Sequence, residues 1–176
     1  MAEIKYMIFD IDGTMTDGKL YIGSQGEVFK AFSVKDGYAI HDMLPQLGIT
    51  PVVITARNSE IVTIRCRELD IRQCYQGIRN KKEKLMALAD SWGLALGENG
   101  KFAEIAYIGD DIPDLSCMEL CSFTACPKDA VDEVKNKVTY ISKKNAGEGA
   151  VRDIVEWYRG EKSIENGKGI TGDSGK

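Results

Sequence analysis

Two apolar runs constrain this chain most. Pro51–Thr55 (PVVIT) and Ile105–Gly109 (IAYIG) lack the apolar–polar alternation of a half-solvated strand. A strand built from either must be covered on both faces, as in a parallel sheet. Ile4–Phe9, Cys74–Gln76, Ser122–Ala125 and Val138–Ile141 are further strand candidates. Parallel neighbours need crossovers, and helical patterns lie between the runs. Gly37–Leu47 is one, which Pro45 is expected to end early. Ser59–Leu69 places Ile61, Ile64 and Leu69 on roughly one face, with Asn58 as the expected N-cap. Lys82–Trp92 repeats Leu85, Leu88, Ala89 and Trp92 at helical spacing, and Ala150–Tyr158 closes the series. The expectation is an α/β fold, a doubly wound, mostly parallel Rossmann-like sheet flanked by helices. Ligands of such sheets bind beyond the carboxyl ends of the strands. Residues 17–32 (DGKLYIGSQGEVFKAF) interrupt the alternation with Asp-Gly, Gly-Ser and Gln-Gly turn signals, the pattern of a β-hairpin inserted after the first strand.

The 176 residues suit one domain, expected over 1–159 with no cap domain. Residues 160–176 are Gly-rich and polar and have almost nothing to bury, so they are expected to be a flexible tail. The net charge of −4 argues against non-specific nucleic-acid binding, which rests on positive charge. An anionic ligand would need a local positive centre. No segment approaches the roughly 20 apolar residues of a membrane span, and no signal peptide is evident, so a cytoplasmic location is expected. Five cysteines (66, 74, 117, 121 and 126) are an odd number without disulfide-scaffold spacing and read as ordinary core or surface residues. His41, the only histidine, sits in a helical pattern and is not read as a base or ligand.

The chemistry lies at the strand ends. Asp10 and Asp12 follow the first strand in MIFDIDGTMTDG, and Thr55 ends the second. Lys81 stands at the mouth of a helix. Asp110, Asp111 and Asp114 (GDDIPD) follow the fourth strand. A doubly wound sheet brings these to one edge. Several carboxylates in one crevice need a cation, and an all-oxygen site with waters suits Mg²⁺, which commonly shares its shell with a phosphate. A Thr can hydrogen-bond a phosphoryl oxygen, and a Lys can neutralise the transferring group. One Asp can attack phosphorus while a second manages the leaving-group proton. The bland reading, acidic loop residues or a non-catalytic calcium site, accounts for each motif alone but not for the ordered set.

That set (DIDGT, a strand-end Thr, a Lys, then GDDxxD) resembles the haloacid dehalogenase superfamily of aspartate-nucleophile phosphatases. The stretches DGKLYIGSQGEVFKAFSVKDGYAIHDMLPQLGI, VVITARNSEIVTIRCREL, QGIRNKKEKL and AGEGAVRDIVEW narrow the resemblance to its 3-deoxy-D-manno-octulosonate 8-phosphate phosphatase subfamily. The resemblance implies a small, capless, Mg²⁺-dependent homotetramer of lipopolysaccharide biosynthesis that hydrolyses a 2-keto-3-deoxy sugar acid phosphate. It makes Asp10 the nucleophile and Asp12 the general acid/base. Metal would be held by Asp10, the backbone carbonyl of Asp12, and Asp110. Thr55 and Lys81 would contact the phosphoryl group. Asp111 and Asp114 would support the site from behind, Asp114 orienting waters or Lys81. Gly13, Ala56, Arg57 and Arg65 are the substrate-binding candidates, and Arg57 favours an eight-carbon acid whose carboxylate it can pair.

Two departures bear on these assignments. The subfamily's QGxxDK reads here with Asn80 before Lys81 and with Lys82 next, so the motif lysine is Lys81 or Lys82. Its TGR reads Thr55-Ala56-Arg57, and Ala56 lacks the φ freedom of glycine. The hairpin and the segment after Ala146 are the available covers for a site without a cap, and hairpins are expected to associate between subunits. Arg65 and Arg67 then either meet substrate across an interface or are solvated helix charges. Ala146–Asp153 either folds over a neighbouring site or simply leads into the last helix. The same chemistry on a nine-carbon sialic-acid-type phosphate or on a broad range of small phosphates is the alternative function. A receiver-type signalling domain is disfavoured by Thr55, which stands where its accepting Asp would be. A non-catalytic oligomerisation module is disfavoured by intact Asp10 and Asp12.

Overall fold

A computed structural model of the chain describes residues 3–165. Six parallel strands form the central sheet: β1 (Tyr6–Phe9), β4 (Thr50–Ile54), β5 (Gln73–Tyr75), β6 (Phe102–Ile108), β7 (Cys121–Cys126) and β8 (Tyr140–Ile141). Their spatial order is β5-β4-β1-β6-β7-β8. The order reverses direction at β1, so β1 lies in the middle of the sheet with β4 on one side and β6 on the other. A separate antiparallel ribbon pairs β2 (Tyr21–Gly23) with β3 (Gly26–Phe29). It is closed at its neck by a bridge between Thr16 and Phe32. Both the doubly wound sheet and the hairpin match the expectation.

Burial on both faces follows from the apolar runs. Met7 and Phe9 of β1 enter one core while Ile8 enters the other, and all three are fully buried. In β4, Val53 points to the first core and Val52 and Ile54 to the second. Each such side chain contributes roughly 1.5–3 kcal/mol through its burial. The first core is covered by α1 (Val34–Tyr38) and its continuation, by α3 (Glu60–Glu68) and by α7 (Ala150–Glu165). The second is covered by α4 (Lys81–Ser91), α5 (Ile112–Met118) and α6 (Asp132–Lys135). Trp92 stacks on Tyr6 at 3.8 Å and Trp157 on Tyr140 at 4.6 Å.

The structure corrects several local readings. Pro45 does not end its helix early. The chain widens into a π-turn over Ala39–Met43, where the Leu44 N–H donates to the Ala39 carbonyl, and continues as α2 (Leu44–Gln46). The widened turn accommodates a proline that has no N–H to offer. Ser59, with extended backbone, occupies the N-cap position of α3 in place of Asn58, whose side chain packs against Gly77. Helix α5 was not anticipated, although its Asp111…Asp114 capping box and early Pro113 are sequence signals for it. Helix α7 runs past Tyr158 to Glu165, and the remainder of the expected tail, 166–176, lies outside the described residues. Among the described residues no helix is long and apolar enough to cross a membrane.

Candidate active site

Adjacent strands deliver the motif residues to one edge. Phe9 is paired with Val53 of β4 and with Ile108 of β6. Asp10 follows Phe9 directly, and Thr55 and Asp110 lie two residues beyond its partners Val53 and Ile108, so all three reach the same edge of the sheet. Backbone bonds fix their positions: Asp10 N–H donates to the Ile108 carbonyl at 3.0 Å, and Thr55 N–H to that of Tyr75 at 3.0 Å. Lys81 arrives from the first turn of α4, which Asn80 caps by accepting the Glu83 N–H. Asn80 thus supplies the cap that sets the start of this helix. Lys81 is buried and Lys82 is exposed, so the structure places Lys81, not Lys82, in the cluster.

Lys81 Nζ lies 2.7 Å from Asp10 Oδ1 and 2.7 Å from Asp114 Oδ1. Asp10, Asp110 and Asp114 each present a carboxylate oxygen within 4.8 Å of the others. One ammonium thus bridges two of the three acids. Burial, reinforced by the Asp114 charge, pushes Asp10 up to about 6 even though Lys81 pulls the other way. Burial pushes Asp110 up to about 7, against the hydrogen bond from the Thr14 hydroxyl at 2.8 Å. Burial also works against the Lys81 charge, but Asp10 and Asp114 outweigh it and hold the ammonium above its ordinary value.

The donor set fits a divalent cation, and the hydrogen bonds sort the ligands. Asp114 is saturated. Its Oδ1 accepts from Lys81 and from the Tyr107 hydroxyl at 2.8 Å, and its Oδ2 accepts from the backbone N–H groups of Asp110 and Asp111 at 3.1 and 3.3 Å. It steadies Lys81 and the loop, whereas Asp10 and Asp110 retain oxygens for a cation. Gly13, at φ +94°, lets the turn pass directly over Asp110, whose carboxylate occupies the space a Cβ would fill. The Ile11 carbonyl accepts the N–H groups of Thr14, Met15 and Thr16, and so spares the Asp12 carbonyl from that turn. Asp111 is exposed and caps α5.

The hairpin closes over this edge and contributes residues that the sequence reading missed. Lys30 is ion-paired to Asp12 and lies 3.0 Å from Glu27. Glu27 in turn accepts from Arg57 Nη2 at 3.0 Å and from the Ser59 hydroxyl. Burial opposes the Glu27 charge, but Ser59, Lys30 and Arg57 outweigh it and hold the carboxyl below its ordinary range. Arg57 Nε is 3.9 Å from Asp12 Oδ2. Ala56 is exposed and takes a negative φ, so the loop does not need glycine there. Arg65 is not brought to the cluster. Its guanidinium donates to the Ser33 carbonyl and to Glu68 and packs against Gly37. The segment from Ala146 packs on its own chain: Gly147 fits against the backbone of Asp17, and Ala146 N–H donates to Asp129. It serves there as the connection into α7. Glu27 and Lys30 pair with each other three residues apart, but nothing local ties them to the site, since Asp12 lies 18 residues from Lys30 and Arg57 lies 30 from Glu27.

The chain is 35% identical to the 3-deoxy-D-manno-octulosonate 8-phosphate phosphatase of Escherichia coli over 153 residues, which cover 87% of this chain and 78% of that one. It belongs to the 3-deoxy-D-manno-octulosonate 8-phosphate phosphatase family. The Yersinia pestis member of this family is 34% identical over 155 residues, 88% of this chain and 79% of that one. Among solved members, the cobalt-bound Haemophilus influenzae phosphatase superposes with a TM-score of 0.82 at 31% identity, covering 98% of this chain and 94% of that one. The Moraxella catarrhalis phosphatase, solved with magnesium, phosphate and a KDO molecule, gives 0.82 at 32% identity over 94% and 91% of the two chains. A haloacid dehalogenase superfamily subfamily III A hydrolase of Legionella pneumophila gives 0.82 at 30% identity over 93% and 85%. No protein-family model matches the chain.

Proposed function

We propose that this protein is a Mg²⁺-dependent phosphomonoesterase that hydrolyses 3-deoxy-D-manno-octulosonate 8-phosphate through an aspartyl-phosphate on Asp10. The observation that carries the reading is the grouping of Asp10, Lys81 and Asp110 at the end of the central strand, with Asp12 two residues further along. Asp10, Asp110 and the Asp12 carbonyl would hold the ion, which when bound supplies positive charge that keeps the carboxylates ionised and draws charge from the phosphoryl oxygens. Lys81 holds Asp10 Oδ1 and leaves the other oxygen to attack phosphorus. As the Asp10–phosphorus bond forms, the bond to the sugar oxygen breaks, and Asp12 gives that oxygen its proton. Water then attacks the aspartyl-phosphate and hands a proton back to Asp12, which releases phosphate and restores Asp10. Thr55 and Lys81 bind the phosphoryl oxygens, and Arg57 pairs with the substrate carboxylate.

Exposed apolar side chains on and beside the hairpin support association between copies of the chain, which this reading takes to be a homotetramer with shared sites. Ile22, Val28, Phe29 and Val34 are 62%, 59%, 50% and 85% exposed. The test is phosphate release with Mg²⁺ over a panel of eight- and nine-carbon keto-deoxy sugar acid phosphates and simple sugar phosphates. The eight-carbon acid phosphate is expected to be turned over best, and Asp10→Asn to be inert but folded. Comparable Mg²⁺-dependent turnover by Asp10→Asn would refute the covalent scheme.

A further inference from the structure

The hairpin is patterned inside out. Its apolar residues Ile22, Val28 and Phe29 are exposed, whereas the side chain of Lys30, directly after β3, is only 1% exposed. Lysine is almost never buried so fully unless it is paired. Here it is paired twice, to Asp12 Oδ1 and, at 3.0 Å, to Glu27 Oε1. For the fold alone this is a poor arrangement. Apolar residues in place of the whole charged set would fill the same space without desolvating an ammonium.

We propose that Lys30 is a positioning residue for the reaction, clamping one carboxyl oxygen of Asp12 so that the other is presented to the leaving-group oxygen, with Glu27 as the strut that fixes the clamp. The inference rests on the phosphatase reading above. Asp12 sits on a turn, and its side chain is 20% exposed, so water reaches it. Proton transfer needs heavy atoms within about 2.6–3.2 Å of each other, and a free rotamer would leave that range. Lys30 removes the freedom. Oδ2 stays available, 3.9 Å from Arg57 Nε. Glu27 is itself held by Arg57 and Ser59, at the loop after β4 and the start of α3. The clamp is therefore anchored to the sheet edge and does not depend on the hairpin alone. The hairpin, on this account, supplies a working part of the site as well as its cover.

Leaving-group quality separates a clamp on the acid from a merely structural lysine. A sugar alkoxide cannot depart without a proton, whereas p-nitrophenolate can. Wild type, Lys30→Met, Lys30→Arg and Glu27→Gln are compared with Mg²⁺ on 3-deoxy-D-manno-octulosonate 8-phosphate and on p-nitrophenyl phosphate. The expected result is a roughly 10–100-fold fall in kcat/KM on the sugar phosphate for Lys30→Met. Glu27→Gln should show a smaller fall of the same kind, and Lys30→Arg partial recovery. On the aryl phosphate, kcat/KM, which ends at release of p-nitrophenolate and so leaves out the later hydrolysis in which Asp12 takes water's proton, should stay within about threefold of wild type. Equal losses on both substrates, or no loss on the sugar phosphate, overturn the inference and leave the phosphatase reading standing. A wild type inert towards both compounds overturns that reading and the inference with it. Glu27→Gln keeps the size of its side chain and makes the same comparison if Lys30→Met does not fold.

Discussion

At the scale of single residues, the acidic cluster is organised by which lone pairs are already taken. Asp114 accepts four hydrogen bonds, so it steadies Lys81, while Asp10 and Asp110 are left to hold charge. Without a cation these two carboxyls sit at about 6 and about 7, above the ordinary 3.8. A folded-state value raised in this way contributes stability that is present below the unfolded value and is lost as pH rises through the folded one. The cation-free protein is therefore expected to lose thermal stability between about pH 4 and pH 7. Mg²⁺ should raise Tm more at the upper end, because protons compete with it at the lower. Calorimetry with Mg²⁺ and with a chelator checks this, and a metal-induced shift independent of pH would count against it. Gly13 makes a second residue-scale case. Gly13→Ala forces a side chain into a positive-φ turn and into Asp110. We expect it to cost about 1–3 kcal/mol in chemical unfolding and to weaken Mg²⁺ binding in a titration. A variant as stable as wild type, with unchanged Mg²⁺ affinity, contradicts the close approach.

At the scale of elements, α7 is fastened to α1 by one buried carboxyl. Asp36 accepts the Arg152 N–H at 2.8 Å and faces the backbone N–H groups of Gly149 and Val151, but its Oδ2 has no hydrogen-bond partner. Burial pushes it up to about 6, against those bonds. Relative to 3.8, the neutral form is favoured by up to about 3 kcal/mol, an advantage lost as pH rises through 6. Asn mimics the neutral form, so Asp36→Asn should raise Tm at pH 8 and change it little at pH 5. A loss of stability at pH 8 would show that the ionised carboxylate is the better cap.

Elements also show where sequence reading succeeds and fails. All six parallel strands and the hairpin were legible, because apolar runs and turn residues act locally. The capping box of α5 is equally local, with Asp111 and Asp114 spaced for it. The π-turn over Ala39–Met43 was not legible. It settles a conflict between Pro45, which resists an ordinary helical turn, and Ile40 and Leu44, which the core buries completely.

At the scale of the whole molecule, the hairpin leaves an apolar face uncovered directly beside the site. Its stacked Tyr21 and Phe29 rings, 4.2 Å apart, stiffen the ribbon without hiding Val28 or Ile22. The protein is expected to sediment as an assembly larger than a monomer at micromolar concentration, with Ile22→Asp shifting it towards monomer and lowering turnover. A monomeric wild type with full activity would remove the case for shared sites.

The sequence by itself determined the doubly wound sheet, the strand-end places of Asp10, Asp12, Thr55 and Asp110, and the family. Those features depend on residues close together in the chain, where apolar periodicity and motif spacing operate. Only the tertiary structure decided that Lys81 and not Lys82 enters the cluster, that Asp114 is saturated while Asp110 is not, that Arg65 turns to Ser33, and that Lys30 reaches Asp12. Each of those depends on where packing sets one element against another, and a lysine on a ribbon has the same local pattern whether its ammonium meets water or a buried carboxylate.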